Sequence, residues 1–461
     1  MRTIHHSIIS AIIVVCALSC KRFIEIPPPK TGLVSATVFN NDQTATAAVT
    51  ALYHQLQAGG FASGNDNSVT QMASLSADEM TSYASSGGNP AFYQNNIIST
   101  DLTNSNLWSS AYSMIYQTNA ILEGLKDSTP VSPALKIQLR GEAKFVRAFC
   151  YFYLVNLYGK VPLVTTTDYR TNALLSRSDT GKVYSLIVSD LKDAQLFLND
   201  GDIASGGERL RPNKAVATAL LARTYLYLKD WANAETQATA VIDNPLYGLE
   251  PDLDKVFLAN SKESIWQLLP VDKYYITWEG AMFILTSDPG SPYNTSNMAM
   301  SDGLWNAFEN NDARKIHWTG TFSNGANTWY YPFKYKIKTP GDLTEYSMVL
   351  RLGELYLVRA EARAWQDNIA GAQQDLNSIR HRAGLGDTPA ATKDQLLSAV
   401  EKERRIELMT EWGHRWLDLK RTGRASTVLA PVKGSQWQAT DVLYPIPESE
   451  LSNDPNLTQN P

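Results

Sequence analysis

LARTYLYLKDWANAETQATAVIDNP, residues 221–245, is the stretch that decides the fold. Leu221, Ala222, Tyr225 and Ala234 fall at the spacing of a tetratricopeptide repeat, with the closing proline, Pro245, one residue early. That spacing describes a helical hairpin. Ala222 lets the partner helix approach, Tyr225 fills the groove between the two, and Asp230-Trp231 makes the turn. A looser copy runs from Leu350 to Ile379, with Ala360, Ala372, Leu376 and Ile379 as its packing positions. The pairs at Trp108 to Leu125 and at Arg140 to Leu198 fit the same plan by helix length and order alone. The expectation is a mainly α protein of about four tetratricopeptide-like hairpins.

Outward from these hairpins the pattern changes twice. Phe39, Ala47, Leu52 and Leu56 lie close to helical spacing, and Gly59-Gly60 should stop that helix. From Gly59 to Asn106 the chain is rich in Ser, Asn, Gly and Ala, which predicts a loop region with short helical pieces. A stripe of Trp108, Tyr112, Ile115, Asn119 and Leu122 then restores the helix. The next one, from Arg140 to Tyr158, is so aromatic that it must be buried on most sides. Gly159 should cap it and Pro162 block its continuation. Leu246 to Thr344 breaks the hairpin pattern with Pro, Gly, Asn and Ser and reads as an inserted lobe. Within it, residues 270–335 carry 14 aromatics in 66 positions, about twice the 10% of the whole chain, so the rings there need a reason beyond average usage.

Composition sets the class. The 461 residues are 44% hydrophobic and 19% charged, enough to bury a large core, and the net charge of -5 gives the whole molecule no pull toward nucleic acid. The first residues read as an export signal: Arg2, an apolar run from Ile8 to Leu18, then Ser19 and Cys20. That run is too short to span a bilayer. Ala17-Leu18-Ser19-Cys20 reads as a lipoprotein box, in which cleavage leaves Cys20 to carry acyl chains that hold the protein to a membrane. Pro27-Pro28-Pro29 then makes an extended tether. The expected organisation is a signal peptide over 1–19, a lipidated tether over 20–35 and one domain over 36–461, its helical body at 36–245 and 345–461 and its loop-rich insertions at 59–106 and 246–344. Of three cysteines only Cys150 stays in the folded part, inside Phe149-Cys150-Tyr151-Phe152, and reads as a small buried residue.

Four motifs, in order, resemble a known family. Arg140-Gly-Glu-Ala-Lys-Phe-Val-Arg-Ala-Phe149 running into Leu157-Tyr158-Gly159-Lys160-Val161-Pro162-Leu163 is the first, and Leu350 to Ala362 with Leu376-Asn377 and Ile379-Arg380 the second. Glu401-Lys-Glu-Arg-Arg-Ile-Glu407 with Trp412-Gly-His-Arg-Trp-Leu-Asp418 is the third. Tyr444-Pro-Ile-Pro447 with the terminal Gln459-Asn460-Pro461 is the fourth, without the Gly-Tyr ending often seen. The chain thereby resembles SusD/RagB proteins. The resemblance implies a cell-surface outer-membrane lipoprotein whose helical body packs on a SusC-type TonB-dependent transporter, with ligand, an oligosaccharide or a peptide, held on the inserted lobe. In this chain Lys21-Arg22 follow Cys20 where family members often place an acidic residue.

Chemistry-bearing residues are few. The six histidines form no metal spacing, so neither a structural zinc nor any cofactor is expected. The run Glu401 to Arg424 alternates acid and base, and Glu401 with Arg405, and Glu411 with Arg415, suit pairing along a helix. Arg140, Glu142, Arg147, Glu361 and Arg363 read as structural ion pairs. Sugar rings stack their C–H faces on Trp or Tyr and need planar polar partners for their hydroxyls. At positions that resemble the family's ligand segments, Tyr83, Tyr275, Trp278 and Tyr293 are expected to form one exposed stacking platform, with Asp78 or Asn95 fixing orientation. Trp305 and Phe308 read as core, and Trp318, Trp329, Tyr330 and Tyr331 fit either role. A binding protein rather than an enzyme is therefore expected. A surface glycosidase, which needs two carboxylates across one cleft, and a scaffold without a small ligand are the alternatives.

Overall fold

The structure is a computed structural model that describes residues 35–201, 207–291, 295–339 and 341–461. The expected signal peptide, Cys20 and the tether up to residue 34 lie outside the described residues. The body is helical: α1 (Asp42–Ala58), α2 (Val69–Ser76), α3 (Leu102–Asp127), α4 (Pro133–Tyr158), α5 (Thr180–Phe197), α6 (Lys214–Tyr227) and α7 (Trp231–Ile242). After the lobe, which contains α8 (Trp278–Phe283), come α9 (Leu352–Trp365), α10 (Ile369–Arg382), α11 (Lys393–Glu407) and α12 (His414–Arg421).

The hairpin that decides the fold forms as its spacing demands. In α6 every side chain from Ala215 to Tyr227 is buried, and α7 packs against it through Ala234, Ala238 and Val241. The chain reverses at Lys229, held in the left-handed region at φ 60. The Asp230 carboxylate restarts the helix by accepting from the Asn233 amide at 3.3 Å. The second hairpin repeats the device: Asp367 takes φ 60 between α9 and α10, and Asn368 Oδ1 accepts from the Gly371 amide at 3.1 Å. Trp231 and Trp365 join the two hairpins with parallel rings whose centroids lie 5.1 Å apart. Below them Arg223 forks onto both Glu354 oxygens at 2.6 Å each, out of contact with water, where removing one partner would leave an unpaired buried charge.

Helix α4 is the axis of the core. Phe149 meets Tyr153, Trp266 and Trp412 at centroid distances of 5.1, 5.3 and 5.5 Å, with edges turned toward faces. Gly159 ends the helix at φ 72 while its amide bonds back to Val155 O. The ion pairs expected of the motif residues are present: Glu142 with Arg211, Arg147 with Asp190, Glu361 with Arg421, and Arg363 with Glu235 and Asp375. Arg140 instead lies over the Phe197 ring.

Two expectations need correction. In α1 the buried face is Ala45, Val49, Leu52 and Leu56, while Ala47 faces solvent and Phe39 precedes the helix. In the charged run from Glu401, the expected pairs Glu401 with Arg405 and Glu411 with Arg415 do not form, although Asp418 and Arg421 pair at 2.7 Å within α12. Glu401 meets Arg415 and Arg424, Arg405 meets Asp78, and Glu411 meets Arg351 and Lys334. The cause is burial. Glu403, Arg404 and Glu407 point into the body, and a desolvated charge requires close partners, which here come mostly from other elements.

The lobe is entered and left through a buried antiparallel pair, β2 (Ser264–Leu268) with β6 (Ser347–Arg351). Arg351, at the end of β6, gathers Glu263, Glu407 and Glu411 at 2.6–2.7 Å. Lys334, from the lobe, donates to the Glu407 and Met409 carbonyls at 2.9 Å, so that lobe and body share one charged core.

Candidate ligand-binding site

Two further strand pairs shape the outer side of the lobe. Strand β1 (Met80–Ser82) pairs with β3 (Met298–Met300), and β4 (Thr319–Ser323) with β5 (Thr328–Pro332). Asn324-Gly325 turns the second hairpin, Gly325 at φ 89, and the Asn324 amide reaches Asp288 at 2.8 Å. The loop is the four residues 324–327 between paired Ser323 and Thr328, and a Gly-containing loop of this length between two short strands is a hairpin signal in the sequence. Alternation along β5 then sends Trp329 and Tyr331 to one face and Tyr330 to the other.

Tyr83 follows β1 directly. Its amide donates to Asn297 O at 2.8 Å, and Gly290, at φ 80, packs so closely that a Cβ there would lie 2.5 Å from Tyr83 O. The Tyr83 side chain is 42% exposed and stands edge-on to Trp329, centroids 6.4 Å apart. Trp329 in turn lies over its cross-strand partner Phe322 at 6.1 Å and 28°. Tyr83, Trp329 and Phe322 thus make a continuous aromatic face, with none of the three fully buried. On the opposite side of the hairpin Tyr330 stacks on Trp305 with ring planes 8° apart, and Lys315 caps Trp305 with its ammonium 4.1 Å from the ring centre.

Tyr275 and Trp278 form a second pair, 4.9 Å apart at 47°, both half-buried. The Asp272 carboxylate accepts from the Tyr274 and Tyr275 amides, and Thr277 caps α8 by accepting from Gly280 N at 3.1 Å. Lys338 closes the other end of α8, donating to the Ala281 and Ile284 carbonyls at 2.7 Å, and burial pulls its ammonium down to about 8.

The candidate residues therefore separate. Tyr83 joins Trp329, Tyr275 joins Trp278, and among the described residues no ring contact links the two pairs. Tyr293 lies outside the described residues. Asp78 is not available to a ligand. It is 6% exposed, with Arg415 on both oxygens at 2.7 and 3.1 Å and Arg405 at 2.7 Å. Burial would raise its carboxyl, and the Arg415 hydrogen bonds with the two guanidinium charges override this and hold it below its ordinary range. Asn95 is equally unsuited. It is buried, ends the helix Gly88–Gln94 at φ 56, and donates inward to Ser76 O. Both were read as polar groups beside a stacking ring because they flank Tyr83 in sequence, yet Asp78 is held by Arg405 and Arg415 and Asn95 by Ser76. Trp305 corrects the core expectation, since it is half-buried in its stack, whereas Phe308 and Trp318 are in the core. Trp329 and Phe322 are the residues that sequence reasoning left unassigned.

Glu79, the neighbour of Asp78, accepts from the Thr410 amide at 3.1 Å, and burial pushes its carboxyl up to about 7. Glu279 is likewise pushed up to about 7 by burial while accepting from the Ser347 hydroxyl. The Cys150 thiol is buried and raised well above its ordinary value, which makes it inert as a nucleophile.

Comparison with known proteins follows this geometry closely. Residues 32–226 match a SusD-like family described as starch-binding and associating with the outer membrane, and residues 271–461 match the SusD family. A SusD-like protein of Formosa agariphila is 26% identical over 421 residues, 77% of this chain and 78% of its own length. A SusD superfamily protein of Bacteroides vulgatus superposes with a TM-score of 0.82 at 20% identity, covering 92% of this chain and 99% of that one. A SusD-like protein described as laminarin-binding superposes with a TM-score of 0.75 at 25% identity, over 92% and 99% of the two chains.

Proposed function

The chain belongs to the SusD/RagB family, and on that premise we propose that it captures an oligosaccharide at the cell surface and delivers it to a SusC-type TonB-dependent transporter in the outer membrane. The observation that carries the reading is the aromatic face of exposed Tyr83 with half-buried Trp329 and Phe322. A cluster of rings left partly open to solvent marks an interaction surface, and the C–H faces of a sugar suit it. Tyr275 with Trp278 offers a second stacking pair. Starch and laminarin, the ligands named for the matched family and for a structural relative, are both glucans, so a glucan is the first ligand class to try.

In this reading the protein binds without turning its ligand over. Cys20 carries the lipid anchor and the helical body meets the transporter. Electrophoresis through gels containing soluble starch or laminarin tests the binding, and a reducing-end assay on the same mixtures tests turnover. Retardation by at least one glucan with no new reducing ends is expected. Replacing Tyr83 and Trp329 together by alanine should nearly abolish the retardation, and Trp278→Ala should weaken it several-fold. Release of reducing ends would favour the glycosidase. Cys20→Ala should free the folded protein from the membrane fraction.

A further inference from the structure

The aromatic face has a polar edge. Asp288-Pro289-Gly290-Ser291 folds as a tight turn, in which the Ser291 amide donates to Asp288 O at 3.0 Å, proline takes the second position and Gly290 the third at φ 80. The glycine of this turn is the one pressed against the Tyr83 carbonyl. Its first residue, Asp288, accepts on Oδ2 from the Asn324 side-chain amide at 2.8 Å. Asn324 is itself fixed, since its Oδ1 accepts from the Ala326 and Asn327 amides at 3.0 and 2.8 Å. A closed circuit therefore runs from Tyr83 through Gly290, Asp288, Asn324, Phe322 and Trp329 back to Tyr83, partly by contact and partly along the chain. Beyond Trp329 the face continues. Tyr331 shares its side of β5, about 7 Å further along the strand. Its ring lies across Gly320, where a Cβ would come within 2.3 Å of it.

Rings hold a sugar by its C–H faces and leave its hydroxyls to be matched at the edge. The edge here is Asp288. It is half-buried and enters no ion pair among the described residues, and Asn324 occupies only one of its oxygens, so Oδ1 keeps its acceptor capacity. An ionised carboxylate can only accept, and a sugar hydroxyl supplies the donor it needs in a charge-assisted hydrogen bond. The same charge opposes a carboxylate on the ligand, because like charges brought together across an interface repel. A strut that only fastened the turn to the hairpin would need neither the charge nor the second oxygen. We propose that Asp288, aligned by Asn324, orients a glycan on the aromatic face and makes the site selective for neutral sugars over uronic acids. This rests on the reading of the face as glycan-binding and adds to it the group that fixes the sugar and the class of sugar that is refused. It also gives the site the planar polar partner that neither Asp78 nor Asn95 supplies.

Calorimetric titration of the full-length protein at pH 7 with laminarihexaose, maltohexaose and oligogalacturonate tests the assignment. For the neutral oligosaccharide that binds more tightly, Asp288→Ala should lower affinity about tenfold, the effect of losing one hydrogen bond to a charged group, with the melting temperature unchanged. Asp288→Asn keeps an acceptor for Asn324 and removes the charge. It should hold neutral affinity within about threefold of wild type and narrow the preference over oligogalacturonate about tenfold. Tyr83→Ala with Trp329→Ala is the control. If that pair leaves affinity unchanged, or neither neutral oligosaccharide binds, the face itself is misread and the role of Asp288 falls with it. If the pair abolishes binding while Asp288→Ala leaves it intact, or wild type binds oligogalacturonate as tightly as the neutral sugars, or Asp288→Asn leaves the selectivity unrelaxed, the face stands and the role of Asp288 is overturned.

Discussion

The helical body and the inserted lobe use the same residue types for opposite ends. In the body, aromatic rings fill the core, Phe145, Phe149 and Tyr153 among them, and arginines are locked onto carboxylates out of contact with water. In the lobe and the strand β1 that joins it, Tyr83 is exposed and Trp329 and Tyr275 are half-buried, and Lys334 and Lys338 hold backbone in place. Residue type therefore says little about role here. What separates the two regions is whether a ring sits on a helix buried on several sides or on a two-stranded hairpin with one open face.

That contrast can be broken at its strongest point first. Arg351→Met leaves the Glu263, Glu407 and Glu411 carboxylates short of a partner at 0–7% exposure, and breaking such a buried cluster costs about 3–5 kcal/mol. Urea unfolding should show a midpoint lowered accordingly. An unchanged midpoint would mean that the charged core is incidental to the fold.

A smaller effect joins the regions through pH. Glu79 has a carboxyl raised from 4.5 to about 7 by burial. The unfolded chain releases this proton near pH 4.5 and the native chain holds it to about 7, so its contribution to stability is full below pH 4.5 and is lost as pH rises to 7. The loss amounts to about 3.5 kcal/mol once pH is above 7, from roughly 1.4 kcal/mol per unit over the rise from 4.5 to about 7. Glu79→Gln keeps an acceptor for Thr410 and removes the titration. Its melting temperature should gain on wild type as pH rises from 5 to 7.5. Parallel profiles would show that Glu79 is ionised in the fold.

The sequence exposed the body better than the lobe for physical reasons. Hairpins such as 221–245 repeat a local pattern, and local spacing is enough to place Ala222 against its neighbour. The partners of Glu401, Arg405 and Glu411 were misassigned because they come from other elements, Arg415 and Arg424 at α12 and beyond it, Asp78 just before β1, and Arg351 of β6 with Lys334, and spacing along one helix says nothing about such contacts. Asp78 and Asn95 failed for the same reason. Their burial depends on Arg415 and Ser76, and a polar residue beside an exposed tyrosine looks the same in sequence whether it faces ligand or core. Trp329 was within reach, since the Gly-containing loop 324–327 between two short strands announces the hairpin, but its meeting with Tyr83 is set by the β1–β3 pairing across more than two hundred residues.

The claim that lobe rings serve ligand while body rings serve the fold rests most directly on Trp329. Calorimetric titration of Trp329→Ala with the glucan that retards the wild-type protein, paired with a thermal melt, measures both roles at once. Stacking is worth about 1 kcal/mol per ring, so affinity should fall several-fold while the melting temperature stays within about two degrees of wild type. Unchanged affinity, or a loss of affinity accompanied by a large fall in melting temperature, would contradict it.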